Sequence, residues 1–366
     1  MNVFALTCAE LADEMSRRYG KGMYHASALY RELFKEGNAS FAAAPEFSRS
    51  PSLAARLIED VRLPSCRIVA RQSDDGVTKF ASALSDGHLI ESVVIPSNDR
   101  TTLCVSSQAG CRMGCRFCVT GGLGFTRDLS VEEIVWQVHA ARFGLGRHVD
   151  NIVFMGMGEP LDNFDNVIQA VRVMSDQRGL DIAHSHITLS TAGHADGIRK
   201  LAALNLNNLH LAVSLNAPED ELRTQLMPIN KRYPLGRLKE ELRAFPLGKN
   251  GIVFIEYVLF AGMNDSRGHA KKLARYLEGL PVRVNLIGFN GSGSATSPYA
   301  PPSSEGMHRF RGWLTDEKLF VRLRQPRGEG IMAACGQLGA SAFAVSTTDR
   351  KTTYVGVEEY EALSRV

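Results

Sequence analysis

From residue 100 onward the chain alternates between two hydrophobic periods, and that alternation limits its possible folds more than any other feature. Short apolar runs at 103–105, 152–155, 187–189, 209–213, 253–260 and 282–287 are separated by amphipathic helical patterns. Ser130 with Glu133 three residues on has the spacing of a capping box, and further helical patterns cover 167–174, 235–245 and 269–277. Repeated βα units predict a parallel sheet with helices packed outside it. Six or seven units point to a partial (β/α) barrel rather than a flat doubly wound sheet, although spacing alone does not decide between them. In either architecture a ligand binds at the C-terminal ends of the strands.

The first hundred residues read differently. Thr7 and Glu10 form a capping-box pair, and a second apolar-periodic stretch covers 23–34, with Gly20 and Gly22 in the turn between them. A compact helical head is expected over 1–62. Over 63–97 the pattern becomes short alternating runs broken by Asp74-Asp75-Gly76 and Ser85-Asp86-Gly87-His88, which predicts a small β-meander with Asp-Gly turns. The α/β core is then expected over 98–345 and a tail over 346–366, with a final hairpin formed by 343–346 and 352–355.

The composition, 44% hydrophobic and 22% charged over 366 residues, is that of an ordinary globular protein. No run reaches the length of a membrane span, and the N-terminus lacks the basic flank and apolar core of a signal peptide, so a cytoplasmic location and no membrane partner are expected. Seven cysteines, an odd number and partly clustered, fit a reducing compartment. A net charge of +3 neither demands nor excludes nucleic acid. Local basic clusters at Arg17, Arg18 and Lys21, at Lys231-Arg232, at Lys271-Lys272, and at Arg322, Arg324 and Arg327 could bind phosphates, or be no more than solvated faces.

Cys111, Cys115 and Cys118 stand in the segment Cys-Arg-Met-Gly-Cys-Arg-Phe-Cys, directly after the first strand of the βα series. Three thiolates are one ligand short of a closed zinc site or of an all-cysteine iron–sulfur site, so the loop implies a metal corner left open. The amino and carboxylate groups of S-adenosylmethionine (SAM) can fill such a corner. Zinc held by the triplet plus Cys104 or a histidine is the alternative, but zinc ribbons use two C-x2-C pairs and the chain has no second one.

Gly156-Met157-Gly158-Glu159-Pro160 closes one strand, where open backbone groups and a carboxylate could grip the SAM ammonium; a simple glycine turn is the plainer reading. Ser190, and Ser214 with Asn216, end neighbouring strands and suit ribose or carboxylate recognition, or are ordinary strand-end caps. Cys8 and Cys66 match no motif and read as buried thiols. On its residues alone, Glu91 reads as a solvated strand residue.

The triplet, with an aromatic residue before its last cysteine, resembles the radical SAM superfamily. The order of Cys104 to Cys111, the triplet, Met155 to Pro160, and Ile331-Met-Ala-Ala-Cys335-Gly-Gln-Leu338 closely resembles the radical SAM RNA adenine methyltransferases of the RlmN and Cfr type, over most of the chain. The resemblance implies a 4Fe-4S cluster on Cys111, Cys115 and Cys118, and two SAM molecules per turnover. An adenine amidine carbon is not a nucleophile, so in that family a thiolate first takes a methyl group; the matching residue is Cys335. A radical made from the second SAM strips hydrogen from the S-methyl group, and the carbon radical adds to the base. Cys104 matches the resolving thiol, which leaves a transient disulfide with Cys335, and Glu91 matches the proton acceptor. The implied SAM contacts are Gly158, Glu159, Ser190, Ser214, Leu215, Asn216 and Asn290.

The resemblance further implies RNA as partner (C2 of a 23S rRNA adenosine, with tRNA as a second substrate), a flavodoxin- or ferredoxin-like reductant, and a monomer. The helical head, with 22–37, would bind nucleic acid. The family usually carries His where Asn216 stands, Trp-Asn-Pro where Phe289-Asn290-Gly291 stands, and a tryptophan at the end of the second head helix. These departures leave C8 methylation open as a variant. A radical SAM enzyme on a non-RNA substrate and a zinc-containing RNA-binding protein stand as alternatives from other classes.

Overall fold

The computed structural model describes residues 1–206, 208–248, 251–291, 298–325, 327–339 and 352–354, the last three by backbone alone. Most of the expected tail, including the hairpin half at 343–346, lies outside the described residues.

The meander comprises β1 (Arg67–Asp74), β2 (Val77–Ala83) and β3 (Leu89–Ser97). There follow β4 (Arg100–Cys104), a small hairpin of β5 (Gln108–Gly110) and β6 (Phe125–Asp128), then β7 (Asn151–Phe154), β8 (Ile187–Thr191) and β9 (His210–Ser214). The series ends with β10 (Val253–Leu259), β11 (Val282–Gly288), β12 (Val321–Arg324) and β13 (Thr352–Tyr354). Eleven strands form one sheet in the order β12-β11-β10-β9-β8-β7-β4-β3-β2-β1-β13. From β4 to β12 every neighbouring pair is parallel and the order follows the chain. Right-handed crossovers in that order place successive helices on one face and curl the sheet into the partial barrel expected from the alternation. It does not close, because β12 and β13 stand at opposite ends.

The elements start and stop for local reasons. Thr7 and Ser130 make the expected capping boxes with Glu10 and Glu133, opening helices Cys8–Tyr19 and Val131–His139. Asp75 (φ 48°) and Gly76 (φ 76°) turn β1 into β2 through two left-handed residues, as a two-residue hairpin requires. β3 pairs antiparallel with β4, with Val93 opposite Cys104, so meander and parallel strands share one sheet. The head also holds two helices that begin at proline, Pro45–Ser48 and Pro51–Asp60, which the sequence reading did not separate. β12 was read only as a basic cluster, yet it is a strand with Val321 opposite Val284.

Phe4, Tyr30 and Phe34 seat the head on the helices Val131–His139 and Phe164–Met174, in a core continuous with the barrel. Each such ring contributes about 1.5–3 kcal/mol on burial. Polar ties fix the seat: the Cys8 N–H donates to Asp176 Oδ2 at 2.7 Å and Gln169 Nε2 to the Ala5 carbonyl at 3.1 Å. Cys8 and Cys66 are both buried, as their reading as packed thiols requires.

Candidate active site

The cysteine triplet hangs from the β5–β6 hairpin. The Cys111 N–H donates to the Gly124 carbonyl at 2.8 Å, which closes the loop at its neck, and the Cys118 N–H donates to the Cys115 carbonyl at 3.1 Å. The neck demands glycine: Gly110 has φ 79°, and a Cβ there would meet the Gly124 carbonyl oxygen at 2.0 Å. Behind the loop, the Arg116 N–H donates to the Leu226 carbonyl at 3.0 Å, and Met113, Cys115 and Phe117 pack on a satellite core of Leu226, Met227, Phe260 and Phe289.

Cys111, Cys115 and Cys118 line one wall of a cavity of about 160 Å³ at the C-terminal ends of the parallel strands. Gly158, Glu159, Ser190, Ser214 and Asn216 line the same cavity, so the strand-end residues singled out by sequence converge here. Gly158 adopts φ 101° and lies so close to β5 that a Cβ would meet the Gln108 nitrogen at 2.7 Å. Glu159 is oriented by its neighbours: Oε1 accepts from the Leu161 N–H at 3.1 Å and Oε2 from the Ala192 N–H at 2.7 Å. Burial pushes its carboxyl up to about 7, so an incoming cation would favour the charged form.

Asn216 is a structural residue as well as a lining one. It is left-handed (φ 58°), its Oδ1 accepts from the Val258 N–H at 2.9 Å, and its carbonyl accepts from Asn264 Nδ2 at 2.8 Å. Leu215 and Asn290 are buried beside the cavity and not on its wall. Arg223, which the sequence reading missed, is fully buried behind the wall. Its guanidinium donates to the carbonyls of Ala192 (2.6 Å), Ser214 (3.2 Å) and Leu215 (3.1 Å), and so clamps the ends of β8 and β9 together.

The Cys335 side is assembled from distant segments. Cys335 lies in the loop 331–339, and its exposed surface opens into the same cavity as the triplet. Burial pushes its thiol up to about 11, with Glu256 raising it further and Arg324 lowering it. Glu256 lines the cavity and accepts from Asn285 Nδ2 at 2.6 Å, while Arg324 Nε donates to Asn285 Oδ1 at 3.1 Å. Cys104, at the end of β4, is buried, and its thiol is pushed up by burial and then by the charge of Cys335. All seven cysteines are free, so the expected Cys104–Cys335 disulfide is not present.

Glu91 corrects the reading made from its residues alone. It is fully buried rather than solvated, because both faces of β3 are covered over residues 90–94 and Glu91 meets the Cys335 loop. Its Oε2 accepts from the Gly339 N–H at 3.0 Å, and its Oε1 stands 3.8 Å from Nζ of the equally buried Lys79. Burial pushes the Glu91 carboxyl up to about 7, against the opposing pull of Lys79. Neither Glu91 nor Cys104 lines the 160 Å³ cavity.

The donor set fits an iron–sulfur cluster: three thiols line the cavity, each could take a different iron of a cube, and one corner is left for another ligand. Burial pushes Cys111 up to about 12 and Cys115 well above the ordinary thiol value, so both need a metal to hold them as thiolates.

The radical SAM superfamily profile matches residues 105–274. The probable dual-specificity RNA methyltransferase RlmN 1 of Protochlamydia amoebophila (strain UWE25) is 40% identical over 93% of this chain and 94% of its own length. The RlmN protein of Geobacter sulfurreducens (strain ATCC 51573 / DSM 12127 / PCA), also a dual-specificity RNA methyltransferase, is 43% identical over 87% of each chain. This chain belongs to the RlmN family. The crystal structure of a radical SAM methyltransferase from Sphaerobacter thermophilus superposes with a TM-score of 0.84 at 38% identity, over 92% of this chain and 98% of that one. As a member of the RlmN family, the chain is a radical SAM RNA methyltransferase, and its cofactors are a 4Fe-4S cluster and SAM.

Proposed function

We propose that this enzyme methylates C2 of an adenosine in 23S rRNA and also in tRNA, with Cys335 as the methyl carrier. The observation that carries this reading is the position of Cys335: a thiol more than two hundred residues beyond the triplet opens into the same cavity. An enzyme using the radical directly on its substrate needs no thiol there. The relatives are named dual-specificity RNA methyltransferases, which supports two RNA classes.

In this reading Cys111, Cys115 and Cys118 hold the cluster, while Gly158, Glu159, Ser190, Ser214, Leu215, Asn216 and Asn290 shape the SAM site. The bound cofactors supply the methyl group and the hydrogen-abstracting radical. Cys335 holds the methyl carbon on sulfur, at a place where the unstacked base can reach it, and unstacking costs a few kcal/mol. Glu91 Oε1, which accepts no hydrogen bond among the described residues, takes the proton that the base carbon loses. Once the adduct has also given up one electron, for which the cluster would be the acceptor, the Cys104 thiolate attacks the Cys335 sulfur. The S–C bond breaks with its electron pair going to the methylene carbon, which takes a proton to become the product methyl group, and a transient Cys104–Cys335 disulfide is left for cellular reductants to reset. A flavodoxin- or ferredoxin-like protein supplies electrons to the cluster.

The head (1–62) is the RNA-docking unit, the meander (63–97) supports the carrier loop, and residues 98–345 and 346–366 are the catalytic core and tail. No helix among the described residues is long and apolar enough to cross a membrane; the enzyme acts in this reading as a cytoplasmic monomer. Nuclease digestion and mass spectrometry of rRNA and tRNA, from cells with and without this gene, test the reading. 2-Methyladenosine lost from both RNAs on deletion supports it; 8-methyladenosine, or no change in either RNA, overturns it.

A further inference from the structure

Lys79 has no role in the chemistry above, yet a fully buried ammonium is costly to fold around unless its position matters. Nζ donates to the carbonyl of Met332, at one end of the carrier loop, at 3.3 Å. Glu91, two residues along β3 from Val93, the register partner of Lys79, takes the N–H of Gly339 at the other end. The two side chains stand 3.8 Å apart, too far for a direct hydrogen bond but close enough for strong attraction in a dry interior. Cys335 lies between these two anchor points. The loop is also tied to the cluster side, where the Val119 N–H donates to the Gly336 carbonyl at 2.8 Å and Thr120 Oγ1 to the Leu338 carbonyl. Those ties involve neutral groups only.

We propose that Lys79 is a positioning residue for the methyl carrier: paired with ionised Glu91 it braces the Cys335 loop from the meander side, and a proton on Glu91 releases that brace. A carboxylate is roughly twice as strong an acceptor for the Gly339 N–H as a neutral carboxyl. Protonation also removes the attraction between Glu91 and Lys79. The cluster-side ties persist, so the loop pivots on them and does not come free. During turnover the proton comes from the base carbon, so the loop loosens at the stage when Cys104 has to reach the Cys335 sulfur. That timing rests on the role proposed for Glu91; the brace itself does not.

Burial raises the Glu91 carboxyl to about 7, which puts the switch in an accessible range. Among the described residues the charged group acting on it is Lys79 from β2, itself lowered by burial; the remaining contact is the Gly339 N–H.

Hydrogen–deuterium exchange of the reconstituted holoenzyme, without RNA, reads the brace directly. In the wild type, exchange of the 331–339 peptide, corrected for the intrinsic effect of pH, is expected to rise about tenfold from pH 8.5 to 6, the free-energy equivalent of about 1.4 kcal/mol. Peptides from β10 should not respond. Glu91→Gln and Lys79→Met should exchange fast at both pH values, and Lys79→Arg should restore the pH response. A wild-type loop whose corrected exchange is the same at both pH values overturns the proposal, and this arm does not depend on any variant folding. A pH response that survives in Glu91→Gln or Lys79→Met overturns it equally. Because no RNA is involved, failure here leaves the methyltransferase reading intact, and failure to methylate RNA leaves the brace intact.

Discussion

The two walls of the active-site cavity are built in opposite ways. The triplet wall is one loop in which three cysteines fall within eight residues, its neck closed locally by the bond from Cys111 to Gly124. Behind the Cys335 wall, Lys79 reaches Met332 across 253 positions and Glu91 reaches Gly339 across 248. A cofactor that stays in place can be held by local spacing. The loop that presents Cys335 is held by long-range contacts, two of them made by charged side chains, as the proposed carrier role would require.

The largest effects should separate the walls cleanly. Cys115→Ala should abolish both iron binding and RNA methylation, whereas Cys335→Ala should abolish methylation and leave the iron content unchanged, as measured by metal analysis beside an RNA methylation assay. Iron loss in Cys335→Ala would merge the walls into one cofactor site. Cys104→Ala should stop one step later and accumulate protein covalently attached to RNA, visible as a slow band on a denaturing gel under turnover conditions. A gel free of that band would remove Cys104 from the resolving role.

Backbone changes come next. Gly158→Ala adds a Cβ that meets the Gln108 nitrogen at 2.7 Å, at φ 101°. Strain of about 1–3 kcal/mol should appear as weaker SAM binding by calorimetry, with the Cys335 loop undisturbed in hydrogen exchange.

A smaller effect concerns pH. The Glu91 carboxyl rises from 4.5 to about 7 on folding, so its contribution to stability is complete below 4.5 and is lost as pH rises through about 7. Glu159 behaves alike, from 4.5 to about 7. Denaturant titrations between pH 5 and 8 should therefore show stability falling with pH, less steeply in Glu91→Gln. An unchanged slope in that variant would mean that Glu91 is not the titrating group. The smallest change expected is Ser130→Ala, which removes a helix cap at a cost of about 1 kcal/mol.

The sequence was legible where physics is local. Apolar period, capping boxes and the Asp-Gly turn predicted the meander, the parallel core and the helices at 131–139, 164–174, 235–244 and 267–277. The triplet and Gly158-Glu159 could be assigned to one ligand because strand ends converge in any βα sheet. Cys335 and Glu91 came only through the family resemblance, since no local pattern marks a contact across the whole chain. Lys79 and Arg223 went unnoticed because a charged residue in a strand or helix reads as solvent-facing unless its partner is known. β12 was missed for a related reason: in Val-Arg-Leu-Arg the arginines dominated the pattern, although the alternation was also that of a strand.

The central claim is that Cys335 carries the transferred carbon. Mass spectrometry of the Cys335 peptide, from protein made together with iron–sulfur assembly machinery, tests it most directly. The account predicts one methyl group on the Cys335 sulfur, absent when Cys115 is replaced by Ala. A Cys335 that is never methylated in active, iron-loaded enzyme would contradict it.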